Sequence, residues 1–455
     1  LPYWPLGEAV CSRVSVGDRP GSKVRNPWSS VKRIAVVGAG ISGLAAAWLL
    51  SRRHAVTLLE SACYAGGHTN TVDITVDGKS FPVDTGFLVF NDRTYPNLCR
   101  LFETLGVSSV ESEMSFSVRI EDERLEWAGS TLGTVFAQKR NLVKPGFWRM
   151  LTDILRFNGE ATAAVASDQT VGGTIGEYLG RGRYGRQFRD WYLLPMSAAI
   201  WSCPTAAMLD YPAQTFLRFC HNHGLLRIAG RPRWRTVAGG GREYVRRMLR
   251  DLTDVRLDTP VQGVIRMADG VALRTRAGVE CFDEVVLATH GDRSLALLDD
   301  ADPEERDILG AVRYQDNIAM LHTDEALLPR AREAWSAWNY LSGPAAASGR
   351  PVAVSYLINK LQPLPCERPV IVTLNPVREP RREHLARVFR YEHPVFDRQA
   401  LDAQGRLGSL QGRRGVWFCG AWTGHGFHED GLKSAIAVAN AMGVRAPWQP
   451  ETVAV

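Results

Sequence analysis

The chain has 455 residues, 45% hydrophobic and 22% charged, with 54 Lys+Arg against 48 Asp+Glu for a net charge of +6. That composition is globular: intrinsic disorder and a small disulfide scaffold are excluded, and at about 150 residues per domain the length suits two or three domains around a large core. The eight cysteines include no CxxC pair, which fits free thiols in a reducing cytosol and offers no zinc spacing.

Residues 1–30 carry Pro2, Pro5, Pro20 and Pro27 without helical periodicity and read as a leader or disordered arm. From Val31 the pattern becomes an apolar strand (Ile34 to Val37), a glycine turn, a small-residue helix (Leu44 to Ser51) and a second strand (Ala55 to Glu60), a βαβ opening. The uncharged run Ile34 to Leu50 lies at the short end of a membrane span, but the glycines in its middle and the lack of a second such run favour a soluble protein. Residues 71–90 alternate as short strands around Asp77-Gly78, a hairpin signal. From about Tyr95 to Leu226 the period is mostly helical, with Pro96, Pro145, Pro195 and Pro204 as boundaries.

Strand and turn chemistry returns with Thr236 to Tyr244 (TVAGGGREY) and the short runs Asp254 to Thr259, Gly263 to Met267, Val271 to Arg274 and Val285 to Ala288. A mixed block, Arg293 to Gln404, contains Val352 to Leu357 and Pro369 to Leu374 as buried-strand candidates, and Val416 to Met442 reads as strand, glycine turn and apolar helix. The expected architecture is α/β. A discontinuous Rossmann-like nucleotide domain comprises residues 31–95, 227–292 and 405–443, an inserted mixed α+β substrate domain comprises 96–226 and 293–404, and 444–455 form a tail.

The chemistry begins at Gly38-Ala39-Gly40-Ile41-Ser42-Gly43, a GxGxxG directly between strand and helix. Its first glycine allows the tight turn, its second lets backbone approach a pyrophosphate, and its third packs helix on strand, while the helix N-terminus offers N–H groups to phosphate. Glu60 ends the next strand, where a carboxylate accepts hydrogen bonds from a ribose diol. Gly66-Gly67-His68-Thr69 and Val83-Asp84-Thr85-Gly86-Phe87 then follow, a continuation that a plain NAD domain does not need.

At these residues the chain resembles the flavin-containing amine oxidase superfamily, which includes phytoene desaturases and protoporphyrinogen oxidases, over about residues 31–443. The resemblance implies FAD, with Gly66, Gly67, His68 and Thr69 along its pyrophosphate and ribityl chain and Gly86, Phe87, Leu88 and Val89 at the edge of the isoalloxazine ring. No CysxxTyr-like element for covalent attachment is present, so FAD is expected to be non-covalent. Val416 to Ala435 (VWFCGAWTGHGFHEDGLKSA) resembles the family's last motif. That match implies Gly420 by the ribityl-phosphate region and the backbone of Glu429, Asp430 and Leu432 against the flavin, where a helix dipole stabilises negative charge on the reduced ring. Val261 resembles the adenine-contacting strand and Ala288 the return strand beside the cofactor.

Two departures bear on the substrate. His428 stands where the family places its C-terminal cage aromatic, and Asn317 to Leu321 holds no lysine where amine oxidases keep one near the flavin. The stretches Gly66 to Glu103, Tyr192 to Trp201 (YLLPMSAAIW) and Arg390 to Phe396 (RYEHPVF) resemble more narrowly a bacterial group known as predicted NAD/FAD-binding proteins. Members accompany enzymes resembling cyclopropane-fatty-acyl-phospholipid synthases, and some desaturate methylated fatty acyl chains. The implied reaction is dehydrogenation of a lipid or small hydrophobic substrate by hydride transfer to flavin N5, with reoxidation by oxygen. Oxidation of a small amine and a non-redox isomerase are the alternatives. His425, His428 and Glu429 are the titratable candidates nearest the ring, and Tyr192, Met196 and Trp201 either line an apolar tunnel or belong to the core.

In Ala137 to Asn158, Phe147, Met150, Leu151, Ile154 and Leu155 recur at helical spacing beside Lys139, Arg140, Lys144, Arg149 and Arg156. Such a segment either touches an anionic membrane through residues 139–157 or faces the core with a solvated basic side. The expected location is cytoplasmic or peripheral at the membrane. No nucleic-acid-binding motif accompanies the charge. His425, His428 and their acidic neighbours find no third ligand at metal spacing, and His221 and His223 lie in a helix-like stretch that suits a surface or packing role, so no metal is expected.

Overall fold

The computed structural model describes residues 31–167, 170–227, 230–342 and 352–450; the expectation for residues 1–30 lies outside them. One layer is a five-stranded parallel sheet in the order Asp254–Arg256, Ala55–Leu59, Arg33–Val37, Glu284–Leu287, Val416–Phe418. Its strands come from three separated parts of the chain. Ile34, Ala35 and Val36 are fully buried, which is why the opening strand reads as continuously apolar rather than alternating. All ten residues of the following helix, Ile41–Leu50, are buried, so the uncharged run at 34–50 divides into a central strand and a core helix. That helix packs against the last one, His428–Ala441.

The second layer is a seven-stranded sheet, Leu385–Val395, Arg313–His322, Ile371–Leu374, Val354–Leu357, Trp338–Ser342, Phe116–Ile120, Leu125–Ala128. It is antiparallel apart from the parallel pairing of Trp338–Ser342 with Phe116–Ile120. This pairing joins the two sequence blocks 96–226 and 293–404 in one sheet. The hairpin Thr71–Val76/Lys79–Asp84 turns at Asp77 (φ 50°) and Gly78 (φ 76°), the paired positive φ values of a type I′ turn.

The block from Tyr95 to Leu226 is mostly helical, with the strands Ser109–Ser112, Phe116–Ile120 and Leu125–Ala128 following its first helix; these runs are short and lie beside helical ones, where periodicity discriminates poorly. Three expectations need correction. The helix Pro96–Leu105, assigned to the inserted domain, packs on the nucleotide layer, with Leu98, Leu101 and Phe102 in one core with Tyr244, Met248 and Ala435. The tail is anchored there as well, through Val444 and Ala446. Six described cysteines are free thiols, whereas Cys281 is disulfide-bonded, a pairing that the scattered spacing does not reveal.

The helix Pro145–Ala166 turns Phe147, Met150 and Phe157 into the core, so its apolar face is occupied by the protein. Leu142, Val143 and Trp148, around its start, are exposed instead. No helix among the described residues is long and apolar enough to cross a membrane.

Candidate active site

The turn after Arg33–Val37 is shaped by backbone. Gly38 adopts φ +101°, which L side chains avoid, and donates its N–H to Leu59 O at 2.8 Å. A Cβ on Gly43 would lie 1.7 Å from Gly38 O, so this glycine is dictated by helix-on-strand packing. Gly40 differs: a Cβ there would meet nothing within 4 Å, so open space stands in front of it. Gly40 caps Ile41–Leu50 with no side-chain hydrogen bond and no acid in the first turn, leaving the helix N–H groups for an anion. Glu60 closes the cradle, its Oε2 accepting the Ala39 N–H at 2.6 Å and its Oε1 the Ala62 N–H at 2.8 Å.

A cavity of about 900 Å³ extends from this cradle. Gly38, Gly40, Ser42, Glu60, Gly66 and Gly67 line its near end. His68, Gly86, Phe87, Leu88 and Val89 line its middle, with Val261, Ala288, Gly420 and His428 also on the wall. Tyr192 and Met196 join Ile200 and, from the seven-stranded sheet, Trp338 and Tyr356 in an apolar part of the wall, and the lining includes the exposed Gly129 and Ser130.

Several candidate residues stand outside the lining. Ala39 and Gly43 serve the turn itself, and Thr69 Oγ1 bonds Tyr244 and, at 2.8 Å, His428 Nε2. Glu429 is corrected as a candidate base. Its buried carboxylate accepts the Asn97 N–H at 3.1 Å, the Asn97 side-chain amide at 2.7 Å and the Leu98 N–H at 3.0 Å, clamping the start of Pro96–Leu105. Asp430 Oδ2 accepts the N–H groups of His425 and Phe427 at 3.0 Å, and Leu432 is fully buried in the core. His425 leaves the lining too, its Nδ1 buried against Phe219 without a hydrogen-bond partner among the described residues. Trp201 is core, packed on Phe219 and Tyr211 at ring distances of 4.5 and 5.1 Å. Of the three catalytic candidates only His428 borders the cavity. It stacks on Phe87 at 3.8 Å, and burial lowers its pKa to about 3, so it is neutral and held by Thr69 rather than poised to shuttle protons.

Comparison with known proteins agrees with this cradle. The family of flavin-containing amine oxidoreductases matches residues 41–314. The chain belongs to that family. It is an FAD-dependent oxidoreductase. The carotenoid phi-ring synthase of Chlorobaculum tepidum is 27% identical over 206 residues, 42% of this chain and 27% of that protein; the chain thus spans about a quarter of that relative's length. Among solved structures, the cyclohexylamine oxidase of Brevibacterium oxydans IH-35A is similar with a TM-score of 0.65 at 14% identity, covering 91% of this chain and 100% of that one. The CLA-producing fatty acid isomerase of P. acnes reaches 0.64 at 15% identity, covering 91% and 99%. At such identities the likeness shows a shared fold alone.

The cradle of this flavin oxidoreductase fits FAD. Gly40 leaves the space, the uncapped helix supplies the donors, and Glu60 retains acceptor capacity beside it. What the sequence missed is the set of polar side chains that gathers around the candidate His68. His68, with its ring centroid 5.0 Å from Tyr391 and 5.1 Å from His393, and His290, stacked on Tyr314 at 4.1 Å, all line the cavity. Burial lowers the pKa of His68 to about 4 and of His393 to about 3, and it lowers that of His290 as well. Glu392 is already engaged, one oxygen 3.1 Å from His290 Nδ1 and the other accepting from Arg293 at 3.1 Å. The available signal was the alternation in Tyr391-Glu392-His393, which puts Tyr391 and His393 on one face of a strand.

Proposed function

We propose that this oxidoreductase dehydrogenates the acyl chain of a lipid. The observation that carries the reading is the cavity: a phosphate-type cradle shares one space of about 900 Å³ with Met196, Ile200, Trp338 and Tyr356, a wall suited to an apolar chain. FAD, when bound, supplies the two-electron acceptor for removal of a hydride from carbon. The protein's own residues hold the chain, exclude water and keep the polar cluster neutral. The lining contains two acids: Glu60 belongs to the cofactor cradle, and Glu392 is engaged by His290 and Arg293, so among the described residues no unpaired carboxylate beside the polar cluster awaits an ammonium. This argues against a small amine as substrate.

The reading extends to a membrane contact. The segment after the exposed Gly129 and Ser130 presents Leu132 (80% exposed), Val143 (82%) and Trp148 (47%), with Lys139, Arg140 and Arg149 exposed among them. An apolar rim with cations beside it suits an anionic phospholipid surface from which an acyl chain enters the cavity.

The test is anaerobic mixing of the holoprotein with phospholipids bearing methylated acyl chains, and separately with amines, while the flavin absorbance is followed. Bleaching by the lipid is expected. Bleaching by amines alone contradicts the proposal, and bleaching by neither points to a redox-neutral isomerase.

A further inference from the structure

Asn317 and His393 lie on the paired strands Arg313–His322 and Leu385–Val395, where Gln315 stands opposite His393. The orientation of the Asn317 amide follows from atoms whose roles are fixed. The Ile318 N–H donates to Asn375 Oδ1 at 2.9 Å, so the other end of that amide is its nitrogen. Asn375 Nδ2 donates to Asn317 Oδ1 at 2.6 Å and to Val352 O at 3.3 Å. The two hydrogens of Asn317 Nδ2 therefore go to Gln315 O at 2.9 Å and to His393 Nδ1 at 2.8 Å. His393 Nδ1 must accept, and a neutral imidazole then carries its proton on Nε2. Burial, with His68 and His290 nearby, holds the ring neutral. Glu392 does not reverse this, being engaged by Arg293 and His290. His393 lines the cavity, and its Nε2 has no hydrogen-bond partner among the described residues.

We propose that His393 is a binding subsite, an Nε2–H donor held in that tautomer by Asn317, that takes an uncharged acceptor such as the carbonyl oxygen of an acyl ester and offers nothing to an ammonium. Asn317 is its positioning residue, and Asn375 fixes Asn317 through the backbone of Ile318 and Val352. The assignment of the tautomer is independent of the substrate. The identity of the acceptor as a carbonyl rests on the lipid reading; an acceptor atom on the isoalloxazine edge has the same chemistry.

Nitrogen NMR of the holoenzyme labelled with 15N-histidine tests the first half. The His393 signals, assigned by their loss in His393→Gln, are expected to show an unprotonated Nδ1 and a protonated Nε2, unchanged between about pH 5 and 8. An Nδ1–H tautomer, or an imidazolium in that range, overturns the proposal. Asn317→Asp, whose carboxylate can only accept, should move the proton to Nδ1. For the second half, binding of a saturated acyl ester is compared with the alkane of equal length through the flavin absorbance. The ester is expected to bind about three- to tenfold more tightly, a margin lost in His393→Phe and retained in His393→Gln. An intact margin in His393→Phe together with a shifted flavin spectrum in the ligand-free protein supports an acceptor on the ring. An intact margin with no spectral shift overturns the subsite. If neither ester nor alkane binds, the lipid reading fails while the NMR result stands.

Discussion

The Glu60 carboxylate accepts the Ala39 N–H at 2.6 Å and so ties the end of the second strand to the glycine turn of the first. One acid thus stabilises the cradle and borders the space it encloses. Glu60→Lys, which places a cation there, is expected to weaken FAD binding about ten- to hundredfold, the scale of a lost charge-assisted hydrogen bond. FAD released on denaturation measures occupancy, and Glu60→Gln should fall between the two. Unchanged occupancy in Glu60→Lys would contradict the assignment.

Glu429 is expected to matter for stability and not for the reaction. Glu429→Ala leaves the Asn97 and Leu98 N–H groups uncapped and should cost about 1–3 kcal/mol in denaturant unfolding. The rate of flavin reduction by substrate in the folded variant should stay within about twofold, whereas loss of a general base would reduce it about a hundredfold or more.

The buried histidines predict an acid limit on stability. Burial lowers the pKa of His68, His223 and His322 to about 4 and of His393 and His428 to about 3, all below the ordinary 6.5. The unfolded chain therefore binds more protons than the folded one below pH 6.5, and the stability present above that value is lost as the pH falls toward 4. Asp84 opposes this: burial raises its pKa from 3.8 to about 6, so its contribution is complete below 3.8 and disappears as the pH rises through 6. Burial likewise raises the pKa of Glu429 and Asp430 and lowers that of His54 and His290, so seven histidines stand against three acids, and the Tm should decline between pH 7 and 5. His322→Gln, outside the cavity, should flatten that decline. A Tm that rises on acidification would contradict the histidine assignment.

Val143→Glu combined with Trp148→Glu is expected to abolish co-sedimentation with anionic phospholipid vesicles while leaving flavin reduction by a soluble short-chain acyl ester unchanged. Neutral vesicles should sediment the parent protein only weakly. Equal co-sedimentation of parent and variant would remove the membrane contact.

The nucleotide half was legible because its signals are local. The glycine turn, the apolar strand before it and Glu60 occupy one βαβ unit, and the closing motif repeats that grammar at Val416–Phe418 and His428–Ala441. The second half was less so. The strand Phe116–Ile120 pairs with Trp338–Ser342, far along the chain, and nothing within a short window signals that partner. The same limit explains the site. Glu429 reads as a candidate base until its carboxylate is found on the start of Pro96–Leu105, and His290, His393 and Asn317 come together only through the pairing of Arg313–His322 with Leu385–Val395. The basic amphipathic segment left membrane and core both open, and Pro145–Ala166 takes the core reading, because spacing alone does not say which neighbour a face meets.

The most direct measurement is the mass of the acyl chain before and after aerobic incubation of its phospholipid with the holoenzyme, taken with oxygen consumption. The account predicts loss of two hydrogens from the chain with oxygen taken up in proportion. A product of unchanged mass, rearranged without oxygen uptake, or a lipid left intact while an amine is oxidised, would contradict it.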